Sequence, residues 1–156
     1  MEIRSLCPGL PAEAAHQMLL GLPDSDGYRV VVKPLRYRTR PHLAGRTEFV
    51  THQIVLQVPE PFLPFGEVVP YGARRVSGRT LRFVWLTEGV TFRHPREVLR
   101  FLYCHEWMHW YLRERLRRKS AAETACDRFA LWNYLRDDVT EEDAQAALSR
   151  RRDPPG

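Results

Sequence analysis

Residues 101–112, FLYCHEWMHWYL, constrain this chain more than any other stretch. Nine of the twelve are apolar or aromatic, and the other three are His105, Glu106 and His109. Pro95 suits a first helical position, and no glycine or proline interrupts the chain from there to Pro154. In a helix over this region Val98, Leu99, Phe101, Leu102, Tyr103, Cys104, Trp107, Met108, Trp110, Tyr111 and Leu112 cover nearly every face. A helix apolar all round is a buried helix, so the fold must be built around it. Unpaired charges there would cost on the order of several kcal/mol, so the three ionisable groups need partners.

Their spacing supplies a reason for them. His105 and His109 are four residues apart and project from one face, one turn apart. Two imidazole nitrogens so placed can reach one tetrahedral metal ion at about 2.0–2.1 Å. Glu106 can reach a water held by the same ion and take its proton, because zinc lowers the pKa of that water to about 7. This His-Glu-x-x-His spacing is the signature of zinc metallopeptidases. The bland alternative is two histidines and a glutamate satisfied by hydrogen bonds inside a core.

A catalytic zinc site also needs a third protein ligand and an open position. Downstream, SAAETACDRFALWNYL (120–135) reads as a helix with Glu123 and Asp127 four apart on one face. With ETACDRFA (123–130) following RFLYCHEWMH (100–109), the chain resembles gluzincin-type metallopeptidases and, within them, the ImmA/IrrE-like group. Cys126 stands where alanine is usual, and Met108 where glycine is common. The resemblance covers about 35 residues and leaves residues 1–90 unmatched. It implies zinc as cofactor, a peptide or protein substrate, and Glu106 as the general base that passes a proton to the leaving amine. It also implies Glu123 as third ligand and Asp127 as the group that orients a histidine ring.

Helix geometry tests the third ligand independently. A first helix continuing to Arg118 would run about 13 Å past His109, and a return from Ser120 would recover only about 4.5 Å by Glu123. For Glu123 to bind, the first helix must end near residues 112–116. Asp127, one turn on, tolerates a longer helix and is the alternative third ligand. SAAE (120–123) is also a capping box, in which Glu123 would merely bond the backbone of Ser120. Cys104 is offset from His105 by about 100° and reads as core, as does Cys126. Tyr103, Tyr111 and Tyr134 are the tyrosines near enough in sequence to stabilise an oxyanion.

The remaining elements are read from periodicity and turn residues. PAEAAHQMLLG (11–21) reads as a short helix, and YRVVVKP (28–34) as a strand. TEFVTHQIVLQV (47–58) reads as one strand with Val50, Ile54, Leu56 and Val58 on a common face. Residues 59–78 hold four prolines and three glycines and read as a long loop with at most a short strand. TLRFVWLT (80–87) reads as a strand that TEGVTF (87–92) turns back. Helices are expected from about 95 to the 112–118 region, over about 121–137 and over 140–151, the last capped by Thr140.

At 156 residues the chain suits one domain. Residues 1–94 would form an N-terminal helix and sheet, 95–151 the helical metal-binding part, and 154–156 a tail. The expectation is an α+β, zincin-like domain spanning 1–153: a small twisted sheet of three to five strands packed on the buried helix, with a following Glu-bearing helix. An edge strand, from 47–58 or 80–87, would hold an extended substrate. No apolar run reaches membrane-span length and no secretory signal is evident, which points to the cytoplasm with no membrane partner. Three cysteines form no disulfide framework, in keeping with a reducing compartment. The net charge is +5, with lysine only at Lys33 and Lys119. Arginine clusters at 72–82, 113–119 and 149–152 make nucleic acid a second candidate partner, although arginine-rich codon usage would give the same balance. A catalytically silent zinc scaffold is the other alternative.

Overall fold

A computed structural model describes residues 1–76, 78, 82–119 and 122–149. The described residues form a small α+β domain with four α-helices and two sheets. The elements are β1 (Ile3–Ser5), α1 (Ala12–Met18), β2 (Arg29–Leu35), β3 (Ala44–Glu48) and β4 (Gln53–Pro59). They continue with β5 (Phe65–Val76), β6 (Arg82–Phe92), α2 (Pro95–Trp110), α3 (Glu123–Asn133) and α4 (Glu141–Leu148). No helix among the described residues is long and apolar enough to cross a membrane.

The larger sheet has the order β1-β2-β4-β3, with β1, β2 and β4 parallel and β3 antiparallel to β4 at one edge. Helix α2 packs on β3 and β4 and against α3. Val30, Val32, Ile54 and Leu56 from the central strands join Val98, Leu99, Leu102 and Trp107 from α2 in one core. From Val98 to Leu112 every residue is buried except His105 and His109. The helix needed at the centre of the domain is there, and beyond its first turn it meets solvent along the His105–His109 stripe.

The second sheet is a β5–β6 ribbon. It replaces the loop expected over 59–78: Phe65–Val76 is a strand of 12 residues. Residues 87–92 do not turn back either, since Arg82–Phe92 is one strand. Phe65 and Phe92 fix the ribbon's base by packing with Phe101 and Tyr134. The expected strand over 47–58 is two strands. Residues 49–52 form a turn between β3 and β4, His52 takes a left-handed φ of 55°, and Val50 lies 95% exposed rather than on the buried face.

The helical third follows the sequence more closely. Thr140 caps α4 in a box with Asp143. The tail from residue 150 and the Ser120 end of the SAAE box lie outside the described residues.

Candidate metal centre

Between His109 and Glu123 the chain reverses in a short space. Helix α2 ends at Trp110 and passes into a π-helical turn, Tyr111–Arg115, closed by Leu116 N–H donating to Tyr111 O. The helical path thus ends inside the 112–116 window that Glu123 requires. Arg117 follows with a φ of 54°, and α3 begins at Glu123 itself.

The reversal brings three side chains together. Glu123 Oε2 lies 3.1 Å from His105 Nε2, and Glu123 Oε1 lies 2.9 Å from His109 Nε2. The two imidazole centroids are 5.0 Å apart. One donor atom from each of His105, His109 and Glu123 falls within 4.8 Å of the others, close enough for a single ion. Asp127, one turn further along α3, meets the other nitrogen of His105, with Oδ1 2.9 Å from Nδ1. A proton on Nδ1 donated to Asp127 leaves the Nε2 lone pair facing Glu123. Glu106 is buried beside the cluster with Oε2 3.9 Å from His105 Nε2.

Two residues that the sequence reading missed complete the surroundings, both from edge strand β3. Thr47 donates its hydroxyl to Glu106 Oε1 at 3.0 Å and lies 2.9 Å from the Glu106 backbone oxygen. Gly45 lies against the carboxylate: a Cβ there would be tight at 3.1 Å from Val55 O and would just touch Glu106 Oε2 at 3.4 Å, so a branched side chain would crowd it. The sequence holds no local signal for either, since Thr47 lies 59 residues from Glu106.

The electrostatics follow from this packing. Burial disfavours a charged His105, but hydrogen bonds to Asp127 and Glu123 outweigh it and raise its pKa to about 10. The His109 pKa is lowered by burial and by the charge on His105. The Glu123 carboxyl is held below its ordinary value, first by the hydrogen bond with His105. Burial raises Glu106, while His105 and Thr47 pull the other way. Without a metal the cluster therefore carries its cation as a proton on His105, between carboxylates on both ring nitrogens. Two imidazoles and a carboxylate converging on one point, with a second carboxylate behind, are a donor set suited to zinc.

No protein-family model, curated protein or solved structure matches the chain.

The other candidates lie apart from this centre. The Tyr103 hydroxyl donates to Pro23 O at 2.6 Å, and the Tyr111 hydroxyl is bonded by Gln145. Tyr134 packs its ring among Phe92 and Phe101. None of these contacts joins a tyrosine to His105, His109 or Glu123. Cys104 and Cys126 are buried, free thiols whose pKa burial raises, Cys104 to about 12. That leaves them as packed core groups. His52 stacks on Tyr28 with centroids 4.9 Å apart, well outside the ligand group.

Proposed function

We propose that this chain is a zinc-dependent metallopeptidase with a zincin-like fold, of the gluzincin type and nearest in motif to the ImmA/IrrE-like group. One observation carries the reading: from Val98 to Leu112 the two residues that are not buried are His105 and His109, whose Nε2 atoms converge on Glu123. His105, His109 and Glu123 would hold the ion. Bound there, zinc would supply a Lewis acid for the scissile carbonyl and a water ionising near pH 7. Asp127 takes the orienting role, since it engages the His105 nitrogen turned away from Glu123.

Glu106 is the general base. Thr47 pins its Oε1 and leaves Oε2 turned towards His105, so one carboxylate oxygen is free to accept a proton and return it to the leaving amine. Strand β3 is an open sheet edge that carries Thr47 and Gly45 past this carboxylate. An extended peptide adding to that edge by backbone hydrogen bonds would run alongside the site. The substrate is accordingly a peptide or protein chain in extended form. Three free cysteines suit a reducing compartment, the cytoplasm.

The direct test is hydrolysis of a fluorescent casein by zinc-loaded protein. Wild type should cleave it, and Glu106→Gln should lower kcat by roughly 10²–10⁴-fold while keeping its metal. Intact zinc binding with no turnover on casein or a random peptide library would favour a silent zinc scaffold and end the peptidase reading.

A further inference from the structure

The β5–β6 ribbon divides into halves of different character. Its base is held in the core through Phe65, Val69, Val90 and Phe92. Beyond Tyr71 and Thr87 no residue of either strand is buried. Strand rise makes this distal part roughly 15–20 Å long. It displays large apolar groups to solvent: Phe83 is 69% exposed, Trp85 61% and Val84 46%. Exposed rings at this density are not what a solvated ribbon needs, and they mark a contact surface.

Register sets their arrangement. Arg75 lies opposite Phe83 and Ala73 opposite Trp85, so these four side chains share one face. The two rings stand two residues apart, about 6.6 Å along the strand. Ala73 is too small to cover the indole. Arg74 and Arg82 project from the other face of a ribbon only two strands wide, where their long stems can follow a chain passing its edge. Residues 72–76 and 82–86 contain three arginines and no acid, whereas Glu67 and Glu88 lie nearer the base. Among the described residues Arg74, Arg75 and Arg82 make no ion pair or side-chain hydrogen bond.

We propose that the distal β5–β6 ribbon binds single-stranded nucleic acid, with Phe83 and Trp85 stacking two successive bases and Arg74, Arg75 and Arg82 contacting phosphates. Unpaired bases have faces that stack on exposed rings, and a strand surface with rings two residues apart presents them in series. The guanidinium groups complement the phosphate chain between the bases. Two other occupants fit less well. A ribbon entering a bilayer would have to take Arg74, Arg75 and Arg82 towards the lipid with its rings. A second copy would bring three arginines against three of the same sign. The proposal is independent of the metal centre.

Fluorescence anisotropy with labelled 20-mers of dT, of rU and of duplex DNA tests it on the full chain. Single strands should bind more tightly than duplex, and the dT and rU arms identify whether DNA or RNA is preferred. Three phosphate contacts predict a log–log salt slope of about −2. Trp85→Ala should weaken binding roughly ten-fold, with Trp85→Phe within about three-fold of wild type. Arg75→Ala with Arg82→Ala should reduce the slope to about −0.7. Circular dichroism melts should stay unchanged in these variants, since the side chains are exposed. The proposal is overturned by duplex binding as tight as single strand, or by Trp85→Ala with wild-type affinity. It is equally overturned if binding appears only to anionic phosphatidylserine vesicles, or if Trp85→Ala alters only a monomer–dimer equilibrium in sedimentation.

Discussion

Arg100 offers the clearest test of how the domain holds its central helix in place. It is fully buried on α2, five residues before His105. Its guanidinium donates to the carbonyls of Met18, Leu20, Tyr134 and Arg136. Met18 ends α1 and Tyr134 caps α3, so one cation satisfies carbonyls that two helix C-termini leave unpaired, where the helix dipoles also favour positive charge. Hydrogen bonds to a charged group contribute about 1.5–3 kcal/mol each, and the cost of burying the charge offsets much of that sum. Deleting the cation is different, because it strands the buried acceptors. Arg100→Met, which keeps the apolar stem, should cost about 3–5 kcal/mol, a large share of a total of about 5–15. At about 2–4 °C per kcal/mol for a chain of this size, the melting temperature should fall by about 6–20 °C. Thermal melts followed by circular dichroism in the presence of a chelator would read this without a contribution from metal binding. Arg100→Lys, with three donors in place of five, should fall between the two. A loss under about 1 kcal/mol in Arg100→Met would mean that the buried guanidinium does not hold these helix ends.

Other expectations concern the proposed metal centre. Asp127→Ala should weaken zinc binding about 10–100-fold in competition with a chromophoric chelator, and Asp127→Asn less, because its amide oxygen can still accept from Nδ1. Gly45→Val should crowd Glu106 and reduce casein hydrolysis while zinc content stays constant. In the metal-free protein the His105 pKa is raised to about 10. Its proton therefore stabilises the fold in full below about pH 6.5, the unfolded value, and that contribution is lost as pH rises towards about 10. Denaturant titrations across that range should show the decline in wild type and a shallower one in Asp127→Ala.

Parts of this structure could be read from sequence because their signals are local. A buried helix bearing His105, Glu106 and His109 follows from one apolar run, and Glu123 and Asp127 share a face by helical spacing alone. The need for a helix end near 112–116 came from rise per residue, and the π-helical turn supplies it. What escaped was set by distant contacts. Thr47 and Gly45 reach Glu106 only because β3 lies at the sheet edge beside α2. The ribbon strand Phe65–Val76 looked like a loop because Gly66, Pro70 and Gly72 punctuate it. An exposed two-stranded ribbon tolerates such residues, and a register shift between Pro70 and Gly72 absorbs the disruption. The break between β3 and β4 hid in an apolar alternation that Val50 continues but solvent surrounds. Strand β1 has only three residues, too few for any period to show.

In the proposed site His105, His109 and Glu123 hold one zinc ion, with Glu106 beside it and outside the ligand set. Metal content by mass spectrometry on purified protein, after zinc loading and desalting, tests it most directly. About one zinc per chain is expected in wild type and in Glu106→Gln, with strong loss in His105→Ala, His109→Ala and Glu123→Ala. Wild-type protein that retains no zinc, or retention unchanged in His105→Ala, would contradict it.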